Sequence, residues 1–115
     1  MSIQITITGN LTDAADASFT ASGKAVAHFT VMSNARYRDK DSGEWVDGAA
    51  TAVRITCWGT LAEAATDQLA RGAKVTVTGH KLAASPYVNR DGEAAATLEV
   101  TADQVQLDLR QPAKR

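Results

Sequence analysis

The chain has 115 residues, the size of one compact domain, which leaves no room for a second hydrophobic core. Its 12 basic and 13 acidic side chains give a formal charge of -1, so any surface for a polyanionic partner must be local. Apolar residues make up 44% of the chain, and no apolar stretch approaches the roughly 20 residues of a membrane span, so no membrane partner is expected. The start of the chain lacks the basic and apolar regions of a secretory signal, which favours a cytoplasmic location.

The first half of the chain predicts three strands. Residues 3–8 alternate isoleucine with polar side chains, as in a half-buried strand, and a longer β-rich run covers residues 25–37. The charged, glycine-containing segment 39–44 predicts the tip of a hairpin that leads into a third strand over residues 52–58. One face of this third strand is apolar, and the other combines a cation with an aromatic ring. The apolar face carries Val53, Ile55 and Cys57, and the other carries Ala52, Arg54, Thr56 and Trp58.

The spacing of the apolar residues changes after the third strand, which predicts one helix. Thr60 and Glu63 have the spacing of a capping box, in which the two side chains satisfy backbone N–H groups at the start of a helix. Apolar residues then follow helical spacing, and Gly72 supplies a C-terminal stop. The predicted helix covers about residues 61–71.

Two more strands are predicted after the helix. Residues 74–78 alternate again and lead into an extended stretch up to residue 88, and the turn signal at residues 89–92 predicts a second hairpin. The apolar positions of the last strand change parity between Leu98 and Leu109. A bulge near residues 103–104 would keep both sets of side chains buried.

This element order predicts an all-β protein. Three strands, one helix and two strands, joined by hairpin-compatible loops, are typical of a five-stranded OB-fold barrel with one capping helix between strands three and four. We expect residues 1–109 to form this domain and residues 110–115 to form a short basic tail. Strands two and three of such barrels commonly contact oligonucleotides or oligosaccharides.

Five short motifs occur in a characteristic order along the chain. They are GNL at 9–11, AVAHFTV at 25–31, YRDK at 37–40, WGTLAE at 58–63 and LARG at 69–72. Each is only a few residues long, but five in the same order with compatible spacings are hard to obtain by chance. Together they resemble the bacterial single-stranded DNA-binding protein family over about residues 3–109.

The resemblance implies an OB-fold homotetramer that wraps single-stranded DNA without sequence preference. Such proteins protect single strands in replication, recombination and repair, in the cytoplasm at the nucleoid, and they need no catalytic step and no cofactor. Bases stack on aromatic rings while cations follow the phosphates. The implied stacking residues are Tyr37, Trp58 and Tyr87, and the implied phosphate contacts are Lys40, Arg54 and Arg71. Ala52 stands where another tryptophan is usual in the family.

The end of the chain departs from the common family pattern. Most members continue into a flexible linker and an acidic tip that recruits repair and replication enzymes, whereas residues 110–115 here are basic. The resemblance is therefore to the short, tail-less members, which often act as a specialised second copy. Enzymes that read an acidic tip are not expected as partners.

Neither metal nor catalytic chemistry is predicted. His28, Cys57 and His80 lack the short paired spacings of zinc sites, and no nucleophile motif or phosphate-binding loop occurs. Cys57 is interpreted as a buried small hydrophobe, with a disulfide between two chains as the alternative. The chain is expected to be a binding protein and not an enzyme.

Several structural roles compete with the binding roles. Trp58 could fill one end of the barrel, but it shares a strand face with Arg54, whose charge would be costly to bury unpaired, so an exposed face is favoured. Trp45 receives no site assignment, since it could stack a base, pack on the barrel or meet another subunit. Tyr37 and Tyr87 could equally pack on their strand neighbours.

Other functions stay open when the residues alone are considered. An OB-fold module can bind RNA, a sugar or another protein, because the fold does not decide among these ligands. The exposed aromatics could also form subunit contacts in a structural assembly domain. An apolar row on strand one, Ile3, Ile5 and Ile7, is a candidate for such contacts.

Overall fold

The computed structural model describes residues 3–109, and the side chains of all of these except residues 35, 36 and 47. This part of the chain contains six strands and one helix. In chain order they are β1 (Gln4–Leu11), β2 (Asp16–Phe19), β3 (Ala25–Arg38), β4 (Trp45–Trp58), α1 (Thr60–Gln68), β5 (Lys74–Val88) and β6 (Ala94–Leu107). No helix in the described range has the length and hydrophobicity that crossing a bilayer requires.

The five long strands form a closed ring of pairings. β1 pairs with β5, β5 with β6, β6 with β4 and β4 with β3, and β3 returns to β1 through Met32 opposite Asn10 and Val31 opposite Leu11. The β4–β6 pairing is parallel and the others are antiparallel. The predicted all-β fold with one helix between the third and fourth long strands is confirmed, and the ring has the connectivity of a five-stranded barrel.

The short strand β2 lies outside this ring and was not predicted. It pairs antiparallel with β3, from Asp16 opposite His28 to Phe19 opposite Ala25. All four of its side chains are exposed, so its sequence has no alternation between buried and exposed positions. Without that alternation, the pattern from which strands are predicted is missing.

Both long hairpins continue beyond the barrel as two-stranded arms. β3 and β4 pair as far as Arg38 opposite Trp45, so β4 begins seven residues before the predicted third strand. β5 and β6 pair as far as Val88 opposite Ala94. We call residues 33–50 the first arm and residues 81–97 the second arm. The Cα extents of 56 × 37 × 33 Å reflect this elongated shape.

The core fills the barrel with small aliphatic side chains. The largest fully buried side chains are Val31, Ile55, Cys57, Val75, Val77 and Val100. These residues come from strands β3 to β6, since alternate positions of each strand point inward. The barrel is therefore packed with side chains and leaves the outer side of its strands for other contacts.

The bulge predicted in the last strand is confirmed. Gly79 lies opposite Ala102 and Thr78 opposite Gln104, so Asp103 is an extra residue in β6. The parity change lets Val105 and Leu107 pack against the core, where they are half-buried. Leu109 does not follow this expectation, because it lies beyond the end of β6 and is exposed.

The helix differs from its prediction at both ends. Its N-cap is Gly59, with φ of 65° and no side-chain cap, so the predicted capping box of Thr60 and Glu63 is wrong. Thr60 is already inside the first turn, and glycine tolerates the positive φ at the cap. The helix ends at Gln68, because Leu69 is extended. Gly72 lies in the turn that follows.

Gly9 permits the closure of the barrel. A Cβ at this position would collide with the backbone carbonyl oxygen of Met32, next to the β1–β3 pairing. Any side chain at Gly9 would therefore push apart the two strands that complete the ring.

Candidate nucleic-acid interface

The centre of the candidate interface is the side of the barrel wall that faces away from the core. On β4, the buried Val53 and Ile55 alternate with the exposed Arg54. Arg54 lies in register with Thr30 of β3 on one side and Glu99 of β6 on the other. We call this side of β3, β4 and β6 the outer face.

A recess on the outer face brings two of the predicted site residues together. Arg54 and Tyr87 both line it, and its volume is about 270 Å³. The Tyr87 ring is 50% exposed. Ala52 also lines the recess and contributes only a methyl group where the resemblance leads one to expect an indole. An open space thus lies beside an exposed ring and a cation.

A polar network crosses the outer face next to Arg54. The Thr56 hydroxyl donates to Glu99 Oε1 at 3.3 Å, and His28 Nδ1 lies 3.1 Å from the same hydroxyl oxygen. Because the only hydroxyl hydrogen is donated to Glu99, the contact with His28 requires Nδ1–H as the donor. The network links three strands and places a carboxylate beside the cation, which reduces the local positive charge.

Trp58 lies at the surface at the end of β4. It is 41% exposed, so it does not fill the barrel. The Lys24 ammonium lies 5.3 Å from the centre of its ring, within the range of a cation–π contact. Trp58 pairs with Val26 in the β3–β4 ladder.

The first arm carries exposed aromatic rings on its two sides. Tyr37 is 57% exposed and lies opposite Val46, and Trp45 is 63% exposed and lies opposite Arg38. Since neighbouring residues of a strand point to opposite sides, Tyr37 lies on one side of the arm, and Trp45, which pairs with Arg38, lies on the other. A strand wrapping the arm would meet a ring on either side.

The tip of the first arm holds the predicted phosphate contact Lys40. Its side chain is exposed in the turn between β3 and β4. The turn is closed by Arg38 Nε, which donates to the Gly43 carbonyl at 3.0 Å. Lys40 is therefore placed on an ordered turn, at a distance from the recess.

Arg71 lies in a third location. It is exposed in the turn after α1, where Gly72 N donates to the Leu11 carbonyl at 2.9 Å. The Asn10 side chain also donates to the Gly72 carbonyl, at 3.0 Å. These bonds hold the turn against the end of β1. The predicted site residues thus form a distributed set, in which Arg54 and Tyr87 share one recess.

The sequence profile of the single-strand binding protein family matches residues 3–108 of this chain. The chain belongs to that family. It is 44% identical over 106 residues to the single-stranded DNA-binding protein of Mycobacterium leprae (strain TN) and 43% identical to that of Mycolicibacterium smegmatis. Each match covers 92% of this chain, but only 62% and 64% of those two proteins.

A solved structure from the same family shares the fold. The crystal structure of a small single-stranded DNA-binding protein from Streptomyces coelicolor superposes with a TM-score of 0.80 at 27% identity. The match covers 95% of this chain and 96% of that chain. The predicted family and the OB-type all-β fold are confirmed.

Two exposed side chains near the interface were not among the predicted family site residues. Trp45 has no site assignment from the sequence, because the residues alone do not show whether it stacks a base, packs on the barrel or meets another subunit. Lys24 was missed because its contact with Trp58 depends on the turn between β2 and β3. The sequence did carry one signal for Trp45, namely an aromatic residue and a cation on the two sides of one hairpin tip.

Cys57 lies in the core of the barrel. Its side chain is fully buried, and burial raises the pKa of its thiol to about 11. The preferred interpretation as a buried small hydrophobe is confirmed, and the thiol has no surface through which to reach a second chain. Among the residues that the structure describes, no group of three or more potential ligands is placed to hold a metal ion.

Proposed function

We propose that this protein binds single-stranded DNA without sequence preference, along the outer face and the two arms. The observation that supports this most strongly is the recess that Arg54 and Tyr87 both line, because base stacking and phosphate pairing need a ring and a cation near each other. The names of the similar proteins agree with this ligand. The function is binding and protection, with no catalytic step.

The six residues Tyr37, Lys40, Arg54, Trp58, Arg71 and Tyr87 are the proposed contacts. A strand in contact with Tyr37, Arg54 and Tyr87 would run from the first arm across the outer face towards the second arm. To reach Trp58 and Arg71 as well, it must continue to the strand ends that lie away from the arms. Positive charge along this path is sparse, since Glu99 lies beside Arg54 and acidic residues surround Lys40. We therefore expect the affinity to depend on salt through only a few phosphate contacts.

The proposed role is the protection of single strands during replication, recombination and repair. A protein with this ligand is expected in the cytoplasm at the nucleoid. The domain that carries the function is residues 1–109, of which residues 3–109 are described; the predicted basic tail, 110–115, lies outside the described residues.

A fluorescence titration tests the proposed function. A mixed-sequence single strand of roughly 35 nucleotides, long enough for several OB sites, should quench the exposed tryptophan and tyrosine fluorescence at low salt. Duplex DNA of the same sequence should compete poorly, because its bases are already stacked. Unchanged fluorescence with the single strand, or equal competition by duplex, contradicts the proposal. Preferential binding of RNA would support the RNA-binding alternative.

Assembly into a homotetramer is the second part of the proposal. Ile3, directly before β1, is 55% exposed, and Ile5 within β1 is half-buried. From Gln4 to Gly9, β1 is paired on the β5 side, while its described pairing with β3 begins only at Asn10. A free strand edge with exposed apolar residues favours contact with another copy. Light scattering should give four times the chain mass of 12.1 kDa at micromolar concentration. A measured mass equal to that of one chain contradicts assembly into a tetramer.

The expected lack of partners that read an acidic tip stays a prediction. A pull-down from cell extract, with a tailed relative as the comparison, tests it. Recovery of the same enzymes by both proteins would show that this prediction is wrong.

A further inference from the structure

Lys24 is placed over Trp58 by the pairing of the strands. It directly precedes β3 (Ala25–Arg38), and Val26, two residues later, lies opposite Trp58. Alternate residues share one side of a strand, so Lys24 is a diagonal neighbour of Trp58 and within reach of a long side chain. The Gly59 N–H also donates to the Ala25 carbonyl at 3.0 Å, which ties the backbone after Trp58 to the residue after Lys24.

The backbone of Lys24 is fixed by the turn between β2 and β3. Thr20 N donates to the Lys24 carbonyl at 2.9 Å, and Lys24 N donates to the Thr20 hydroxyl at 3.1 Å. Gly23, with φ of 85°, completes the turn. The backbone is thus held in place, while the long exposed side chain can change rotamer.

We propose that Lys24 is an additional DNA contact, whose ammonium covers the Trp58 ring in the free protein and moves to a phosphate when a base stacks there. This inference rests on the proposed function. The ring face that Lys24 occupies is the surface that a base needs, so the two cannot occupy it together. A phosphate adjoining the stacked base offers the displaced ammonium a charged partner.

The exchange is favourable because each partner gains a stronger contact. Stacking of a base on an aromatic side chain exceeds a solvent-exposed cation–π contact, and the cation then releases counterions from the DNA backbone. Until DNA binds, the ammonium shields an exposed apolar ring. Lys24 thereby covers the Trp58 ring in the free protein and contacts a phosphate in the complex.

The test combines three variants with two readouts. Lys24→Ala removes the ammonium, Lys24→Arg keeps a cation, and Lys74→Ala is the matched control on β5, which pairs with neither β3 nor β4. All variants carry Trp45→Phe, so that Trp58 is the remaining tryptophan. Acrylamide quenching without DNA reports how well the ring is covered. Affinity for the single strand at several salt concentrations gives the number of phosphate contacts.

Lys24→Ala should increase acrylamide quenching of free Trp58 and lower the salt slope by about 0.7, the value for one phosphate contact on a single strand. Lys24→Arg should restore both readouts, and Lys74→Ala should change neither. Unchanged quenching or an unchanged slope in Lys24→Ala overturns the inference while the proposed function stands. Failure of the parent protein to bind the strand refutes the proposed function itself.

Discussion

The barrel portion and the arm portion of one strand differ in what their side chains do. In β5, residues 74–79 alternate between half-buried and buried positions, whereas residues 81–88 are all exposed. Both portions are paired with β6, on either side of a register shift between His80 and Ala83. Backbone pairing therefore maintains the strand, and burial decides whether a side chain stabilises the fold or remains available for a ligand.

The same division occurs in the hairpin of β3 and β4. Phe29 and Val31 are buried in the barrel, while Tyr37 and Arg38 are exposed on the first arm. The comparison implies that substitutions of buried side chains in the barrel change stability and that substitutions of exposed side chains in the arms change DNA binding.

The largest expected effect is on stability, from Ile55→Ala in the barrel. Ile55 is fully buried, so truncation should lower the free energy of unfolding by about 2–5 kcal/mol through lost burial and a cavity. Val88→Ala in the second arm, where the side chain is exposed, should change it by less than about 0.5 kcal/mol. Urea denaturation measures both. Similar losses in the two variants would break the distinction between barrel and arm.

Removal of an aromatic ring from an arm should mainly affect binding. Tyr37→Ala and Tyr87→Ala should each weaken single-strand binding by about 1–3 kcal/mol, roughly 5- to 150-fold, by deleting a stacking surface. Their unfolding midpoints should stay close to wild type, because both rings are exposed. Val88→Ala is the control for loss of an exposed apolar side chain beside Tyr87. If both tyrosine variants bind the single strand with wild-type affinity, the arms are not part of the interface.

Substitution of Arg54 should change the salt dependence of DNA binding more than it changes the stability of the fold. Arg54→Ala should reduce the slope of log affinity against log salt by about 0.7, as expected for one phosphate contact on a single strand. Arg54→Lys keeps the charge and should preserve the slope. Trp58→Ala should weaken binding but leave the slope nearly unchanged, since stacking releases few counterions. A slope unaffected in Arg54→Ala would place the phosphate path elsewhere.

The smallest expected effect at neutral pH concerns the buried thiol of Cys57, because its titration begins only near pH 9. Burial raises its pKa from 9.0 to about 11, so above pH 9 the unfolded state loses the proton before the folded state does. The unfolded state then binds fewer protons, and stability should fall as the pH rises from about 9 to 11.

Cys57→Ala removes this titration and should show a smaller decline in stability over the same pH range. Equal declines in the two proteins would contradict the assigned burial effect. The native thiol should also react slowly with a thiol reagent at pH 8, because it is fully buried and protonated. Rapid labelling of the folded protein would show that the barrel opens readily.

The sequence predicted the barrel better than it predicted the arms. Alternation of apolar residues arises from burial on one side, so it located the strands around Ile7, Ile55 and Val77. The parity change in the last strand also located the bulge at Asp103. Strands exposed on both sides carry no such pattern, which is why β2 and the first seven residues of β4 were missed.

The sequence predicted the individual residues of the site but not how they are arranged in space. Alternation alone put Arg54 and Trp58 on one strand face. The proximity of Tyr87 to Arg54 depends on the parallel β4–β6 pairing, which joins segments far apart in the chain. The cover of Lys24 over Trp58 depends on a turn attached to the unpredicted strand β2.

The most direct test of the account is a map of where a single strand touches the protein. Photo-cross-linking with an oligonucleotide that carries 5-iodouracil, followed by peptide mass spectrometry, identifies the aromatic residues in contact with bases. Cross-links at Tyr37, Trp58 and Tyr87 are predicted. Phe19 is more exposed than these three residues, but it lines the cleft between β2 and α1, outside the proposed path. Cross-links at Phe19 without any at Trp58 or Tyr87 would contradict the account.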